Sequence, residues 1–171
     1  FPIWAATHQV NRVAALALAT AEAIAFGETF MGQIVKNAKA LAGALHERGI
    51  PMLGAHKGFT TTQQAIADVR QYGRGLANAQ KLERANIIVN KNLVPTDKPE
   101  DWDYPGGLRM GTIEVTRFGM KEKEMTAIAD LIARVVVRGE KYQLVVLRSG
   151  HEVMAKRLAD GTLYWLGTAY H

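Results

Sequence analysis

The sequence predicts an α+β domain, a mostly antiparallel sheet of about three to five strands covered by helices. Helical and strand-like segments follow one another as helix, helix, strand, strand, helix, strand, strand, helix, without the strict alternation of a parallel sheet. The strand-like runs are short and bounded by Gly, Thr, Asn and Pro. The clearest helix, residues 121–137, carries Met125, Ile128, Ala129, Ile132 and Val136 on one side, as a helix covering a sheet should.

Residues 7–25 read as an alanine-rich helix, with Val10, Val13, Ala14, Ala17, Ala21 and Ile24 at helical spacing and Gly27 as its stop. A second helix is expected from Thr29, with Phe30, Ile34, Ala38, Leu41 and Leu45 on its apolar stripe and Gly49 beyond its end. Residues 51–55 and 64–69 read as strands separated by Gly58 and three threonines. Gly73-Arg74-Gly75 reads as a turn, 76–85 as a short helix and 87–89 as a strand. Residues 90–107 hold Pro95, Pro99 and Pro105 without periodicity, so a long functional or mobile loop is expected. Residues 108–116 read as a strand. In the tail, 142–147, 153–158 and 163–166 have strand character, with Asp160-Gly161 as a hairpin signal.

At 171 residues the chain has room for one domain with a self-sufficient core, and an appendage. It has no cysteine, which excludes disulfides, thiolate metal sites and a cysteine nucleophile and fits a reducing cytosol. The net charge is +5, but acids interleave with bases, as at Lys121-Glu122-Lys123-Glu124. That pattern argues against a nucleic-acid groove. No apolar run is long enough to span a bilayer, and no basic n-region opens a signal peptide. The chain starts at Phe1 rather than methionine, and Phe1-Pro2-Ile3-Trp4 is apolar enough to need a neighbour, so a piece of a longer protein is expected.

The segment Gly106-Gly107-Leu108-Arg109-Met110-Gly111-Thr112 carries most of the functional signal. Strand alternation puts Leu108, Met110 and Thr112 on one side and Arg109 on the other. A guanidinium is a planar fork that grips a carboxylate or phosphate at two points. The glycines leave room for close approach to the backbone. An anion site and a plain surface arginine on a strand both fit this segment. Elsewhere His8, His46, His56, His151 and His171 lack metal-ligand spacing, so no metal site is expected. Lys57, in the threonine-rich stretch His56 to Thr62, has the setting of a Schiff-base lysine, but a turn lysine between two strands is the preferred reading. Gly73-Arg74-Gly75 lacks the third glycine of a dinucleotide loop. Asn90-Lys91-Asn92 offers amides that either grip a polar ligand or cap a turn.

Together, HQVNRVAALA (residues 8–17), QIVKNAKAL (33–41), ANIIVNKN (85–92) and GLRMGTIEVTRFG (107–119) resemble the C-terminal small domain of serine hydroxymethyltransferase. That family consists of pyridoxal-phosphate enzymes with the aspartate-aminotransferase-like fold. The likeness spans 1–137, follows the family's segment order, and EVTRFGMKEKEM is closer to archaeal members. Differences are Phe-Pro-Ile for Phe-Pro-Gly, His8-Gln9 for a histidine pair, Gln63 for a histidine, Pro105-Gly106 before the arginine motif, and the loop 97–105.

The resemblance implies that Arg109 binds the α-carboxylate of serine or glycine and that Asn92 lies in the pterin-binding region. It implies a reversible one-carbon transfer from serine to a tetrahydropterin, tetrahydrofolate or a modified pterin, giving glycine. The cofactor would be pyridoxal phosphate, anchored by a lysine and other residues absent from this chain. Hence no catalytic residue is expected here, and the isolated chain is expected to be inactive. A cytoplasmic homodimer is implied for the complete enzyme, and an exposed apolar surface is expected around Phe1 to Trp4 and the first helix. Two other readings stand beside it: an inactive stand-alone binding module derived from the enzyme, and a related pyridoxal aldolase of β-hydroxy amino acids. Residues 138–171 fall outside the resemblance and read as a separate tail of strands.

Overall fold

The computed structural model describes residues 9–140 and the backbone of three strands in the tail. One helix, α1 (Val10–Glu47), replaces the two expected. Gly27 does not stop it, because the glycine keeps an ordinary negative φ and the alanine-rich turns before it carry the helix through. Gly49, at φ 87°, is the true terminator. The two halves of α1 differ. Ile34, Ala38, Leu41, Ala42 and Leu45 are buried, whereas Val10, Val13, Leu16, Leu18, Ile24, Phe26 and Met31 are exposed. The exposed apolar surface expected on the first helix is therefore present; Phe1 to Trp4 lie outside the described residues. By length and composition alone α1 also passes for a membrane span, an 18-residue window of it having mean hydropathy 1.4.

The central sheet has three antiparallel strands in the order β1-β3-β2: β1 (Gln64–Asp68), β2 (Asn90–Asn92) and β3 (Gly107–Gly111). α2 (Arg74–Arg84), α3 (Ile113–Arg117) and α4 (Glu122–Val136) complete the domain. Leu108 and Met110 of β3 and Ala65 and Ala67 of β1 enter one core with Leu41 and Leu45 of α1, Leu82 of α2, and Met125, Ala129 and Ile132 of α4. Helices thus cover one face of the sheet.

Three strand expectations change. Residues 51–55 make only an isolated bridge, Met52 to Ala67. Gly54, Gly58 and Phe59 all take positive φ and curl the chain into a tight turn instead. Residues 87–89 are not a strand. Asn86 (φ 58°) and the bond from Ile87 N–H to the Leu82 carbonyl close α2 there, so pairing with β3 begins only at Asn90. The arginine strand stops at Gly111, where the Thr112 hydroxyl donates to the Ile34 carbonyl (3.0 Å) and the chain turns into α3.

The expected turn Gly73-Arg74-Gly75 instead opens α2. Gly75 is needed for contact: a Cβ there would lie 2.2 Å from the Gly107 carbonyl oxygen. In the tail, β4 (Gln143–Val146), β5 (Glu152–Arg157) and β6 (Leu163–Thr168) form a second antiparallel sheet in that order. β5 and β6 pair from Arg157 with Leu163, around the hairpin expected at Asp160-Gly161, whose residues lie outside the described ones.

Candidate functional site

Arg109 is the central residue of the central strand. Its register partners are Ile66 on β1 and Asn90 on β2. Directly opposed residues on antiparallel strands share a face. The face away from the helices therefore carries Gln64, Ile66 and Asp68 from β1, Gly111, Arg109 and Gly107 from β3, and Asn90 and Asn92 from β2. The alternation is visible in burial: Leu108 and Met110 are 1% and 5% exposed, and Arg109 between them is partly exposed. No hydrogen bond or ion pair engages the Arg109 guanidinium among the described residues. A charged fork held on a rigid strand, with neutral partners on both sides, remains free to receive an anion.

The face is closed at one end and open at the other. Val94 (3% exposed) packs over Gly107, where a Cβ would meet its Cγ1 at 2.6 Å. At Gly106 a Cβ would meet Arg70 Cγ at 2.7 Å and Asp97 Oδ1 at 2.8 Å. These two glycines accommodate the protein's own atoms, which corrects the expectation that they admit a ligand. Gly111 alone of the three faces open space, with nothing within 4 Å of a Cβ.

The segment expected to be a loop is largely pinned. Asp97 Oδ2 accepts from Val94 N–H (2.9 Å) and Gly106 N–H (2.7 Å). Lys91 Nζ donates to the Trp102 and Asp103 carbonyls, Arg74 Nη1 to the Tyr104 carbonyl (2.7 Å), and Pro99–Asp103 forms a 3-10 turn. Asp68 and Arg70 form a close ion pair beside Gly106. The Arg70 side chain holds the Asp68 carboxyl below its ordinary value by hydrogen bonding, against a smaller opposing effect of burial.

Asn92 shares the face of Arg109, displaced toward the closed end. Its Nδ2 donates to the Leu93 carbonyl (2.7 Å), which leaves Oδ1 without a partner among the described residues. Lys57 is exposed on the 3-10 turn Ala55–Lys57, a turn lysine as the sequence reading preferred. No group of residues able to hold a metal is present among the described residues.

Sequence reading missed the support beneath the site. Asn37, fully buried in α1, donates from Nδ2 to Thr116 Oγ1 and to the Met120 carbonyl, both at 2.8 Å. Thr116 Oγ1 in turn donates to the Thr112 carbonyl (2.6 Å). This network ties the end of β3 to α1 and to the start of α4. The signal available was a polar residue, Asn37, on the otherwise apolar stripe of a helix.

A small antiparallel sheet with helices on one face and, among the described residues, an unpaired arginine on the other defines a small α+β domain with an open polar face. The crystal structure of L-threonine transaldolase from Pseudomonas fluorescens in its internal aldimine state aligns with a TM-score of 0.57 and 32% identity, over 68% of this chain and 26% of that one. The family profile described as serine hydroxymethyltransferase matches residues 1–132. The serine hydroxymethyltransferase of Staphylothermus marinus is 51% identical over 137 residues, 80% of this chain and 31% of its own length. That of Methanocaldococcus jannaschii is 46% identical over 149 residues, 85% and 35%. The chain belongs to the serine hydroxymethyltransferase family. It spans about a third of the length of these relatives.

Proposed function

We propose that this chain is the substrate-carboxylate-binding domain of a pyridoxal-phosphate-dependent hydroxymethyltransferase that interconverts serine and glycine with a tetrahydropterin. Arg109 carries the reading: it is the one guanidinium on the open sheet face with no partner among the described residues. It binds and orients the α-carboxylate. The fork fixes the amino acid at two points, and the strand beneath holds the fork in place. Asn92, with its free Oδ1, contacts the pterin. The cofactor anchor belongs to the rest of the polypeptide, in keeping with the fraction of its relatives that the chain covers. The complete enzyme is a cytoplasmic homodimer. Residues 1–137 form the family domain and 138–171 an appended sheet.

The transaldolase likeness favours a second reading, a pyridoxal enzyme acting on other β-hydroxy amino acids. One experiment separates the two. Full-length polypeptide loaded with pyridoxal phosphate is given serine with and without tetrahydrofolate, and allo-threonine without it. Glycine formed from serine only when the pterin is present supports the first reading. Cleavage confined to allo-threonine supports the second.

A further inference from the structure

Asn90 is the residue across from Arg109 on β2, and nothing so far assigns it a role. Directly opposed Cβ atoms on antiparallel strands stand about 4.5–5.5 Å apart, so the two side chains reach one another and any group lying between their tips. Asn90 is exposed, and its amide makes no hydrogen bond among the described residues. The two neighbours of Arg109 are unlike. Ile66, across β1, offers only hydrocarbon, whereas Asn90 offers a donor and an acceptor. A carboxylate held by Arg109 thus has a further N–H donor on the β2 side and an apolar wall on the β1 side.

The neutrality of Asn90 matters as much as its polarity. An acidic residue at this position would pair with Arg109 across the strands and occupy the fork. We infer that Asn90 is a second carboxylate-binding residue of the site: its Nδ2 donates to the bound carboxylate, and its uncharged amide leaves the guanidinium unquenched. This rests on the reading of Arg109 as the carboxylate clamp and adds a specificity-determining partner to it.

The test is equilibrium binding of glycine by calorimetry to the full-length polypeptide loaded with pyridoxal phosphate. The variants are Asn90→Ala, Asn90→Asp, Arg109→Ala and the double variant Asn90→Ala with Arg109→Ala. Loss of one hydrogen bond to a charged group weakens glycine binding by about tenfold in Asn90→Ala. Asn90→Asp weakens it further, because the new carboxylate competes for the fork. In the double variant the Asn90 effect shrinks, since the ligand is no longer held beside it. Because the amide makes no hydrogen bond among the described residues, urea midpoints should match wild type in both Asn90 variants. Unchanged glycine affinity in Asn90→Ala and Asn90→Asp, with a large loss in Arg109→Ala, would overturn the role of Asn90 and leave the clamp standing. Unchanged affinity in Arg109→Ala would overturn both.

Discussion

Replacing Asn37 by alanine tests whether the arginine strand is held by the buried network beneath it. The Asn37 side chain donates two hydrogen bonds of 2.8 Å in a fully buried setting, and its Oδ1 accepts a third from Gln33 (2.9 Å). Each intramolecular bond is worth about 1 kcal/mol net, and the Met120 carbonyl, in a part-buried setting, adds only a fraction of that when left without its partner. The partly solvated bond from Gln33 adds little. The sum is about 2 kcal/mol of unfolding free energy. Equilibrium urea unfolding of wild type and Asn37→Ala, compared at a common slope, reads it directly. Asn37→Asp should be worse still at neutral pH, because a carboxylate would face the Met120 carbonyl without a proton to donate. A loss under about 1 kcal/mol in Asn37→Ala would show that the network does not fix this part of the fold.

Three further outcomes follow from local geometry. Gly75→Ala should destabilise by about 3 kcal/mol or more, because its Cβ would sit 2.2 Å from the Gly107 carbonyl and force α2 off the arginine strand; a near-neutral result in urea unfolding would refute that contact. Gly27→Ala should stabilise by about 1 kcal/mol, since the site is inside α1 and a Cβ meets nothing within 4 Å; destabilisation would mean α1 is not continuous there. For Asp68 the hydrogen bond from Arg70 holds the folded carboxyl below its ordinary value, so its stabilisation is present above the ordinary carboxylate range, about pH 4, and fades as pH falls through the folded value. Urea midpoints of wild type and Asp68→Asn should differ at neutral pH and converge in acid, whereas a gap that widens in acid would contradict the ion pair.

The parts of this fold that follow from one-dimensional pattern were legible. α4 is found within one residue of its expected limits because its apolar stripe and its burial coincide. The alternation around Arg109 also held, since burying Leu108 and Met110 leaves the arginine no other side. What escaped was decided by tertiary contact. Gly27 reads as a stop only where the chain has somewhere else to go, and in α1 it does not. Gly106 and Gly107 look like ligand space in sequence, but Val94, Arg70 and Asp97 fill it. The strand expected at 87–89 shifted to Asn90–Asn92 because α2 closes through Asn86 first. That shift sets Asn90 across from Arg109, a pairing no spacing rule contains.

The most direct measurement is the affinity of the full-length, cofactor-loaded protein for glycine when Arg109 is replaced by alanine. Losing the charged partner of a desolvated carboxylate costs about 3 kcal/mol or more, and binding should fall by about a hundredfold or more while the urea midpoint stays put. Glycine binding within about twofold of wild type, a difference under about 0.5 kcal/mol, would mean that the open face of the sheet is not where the substrate sits.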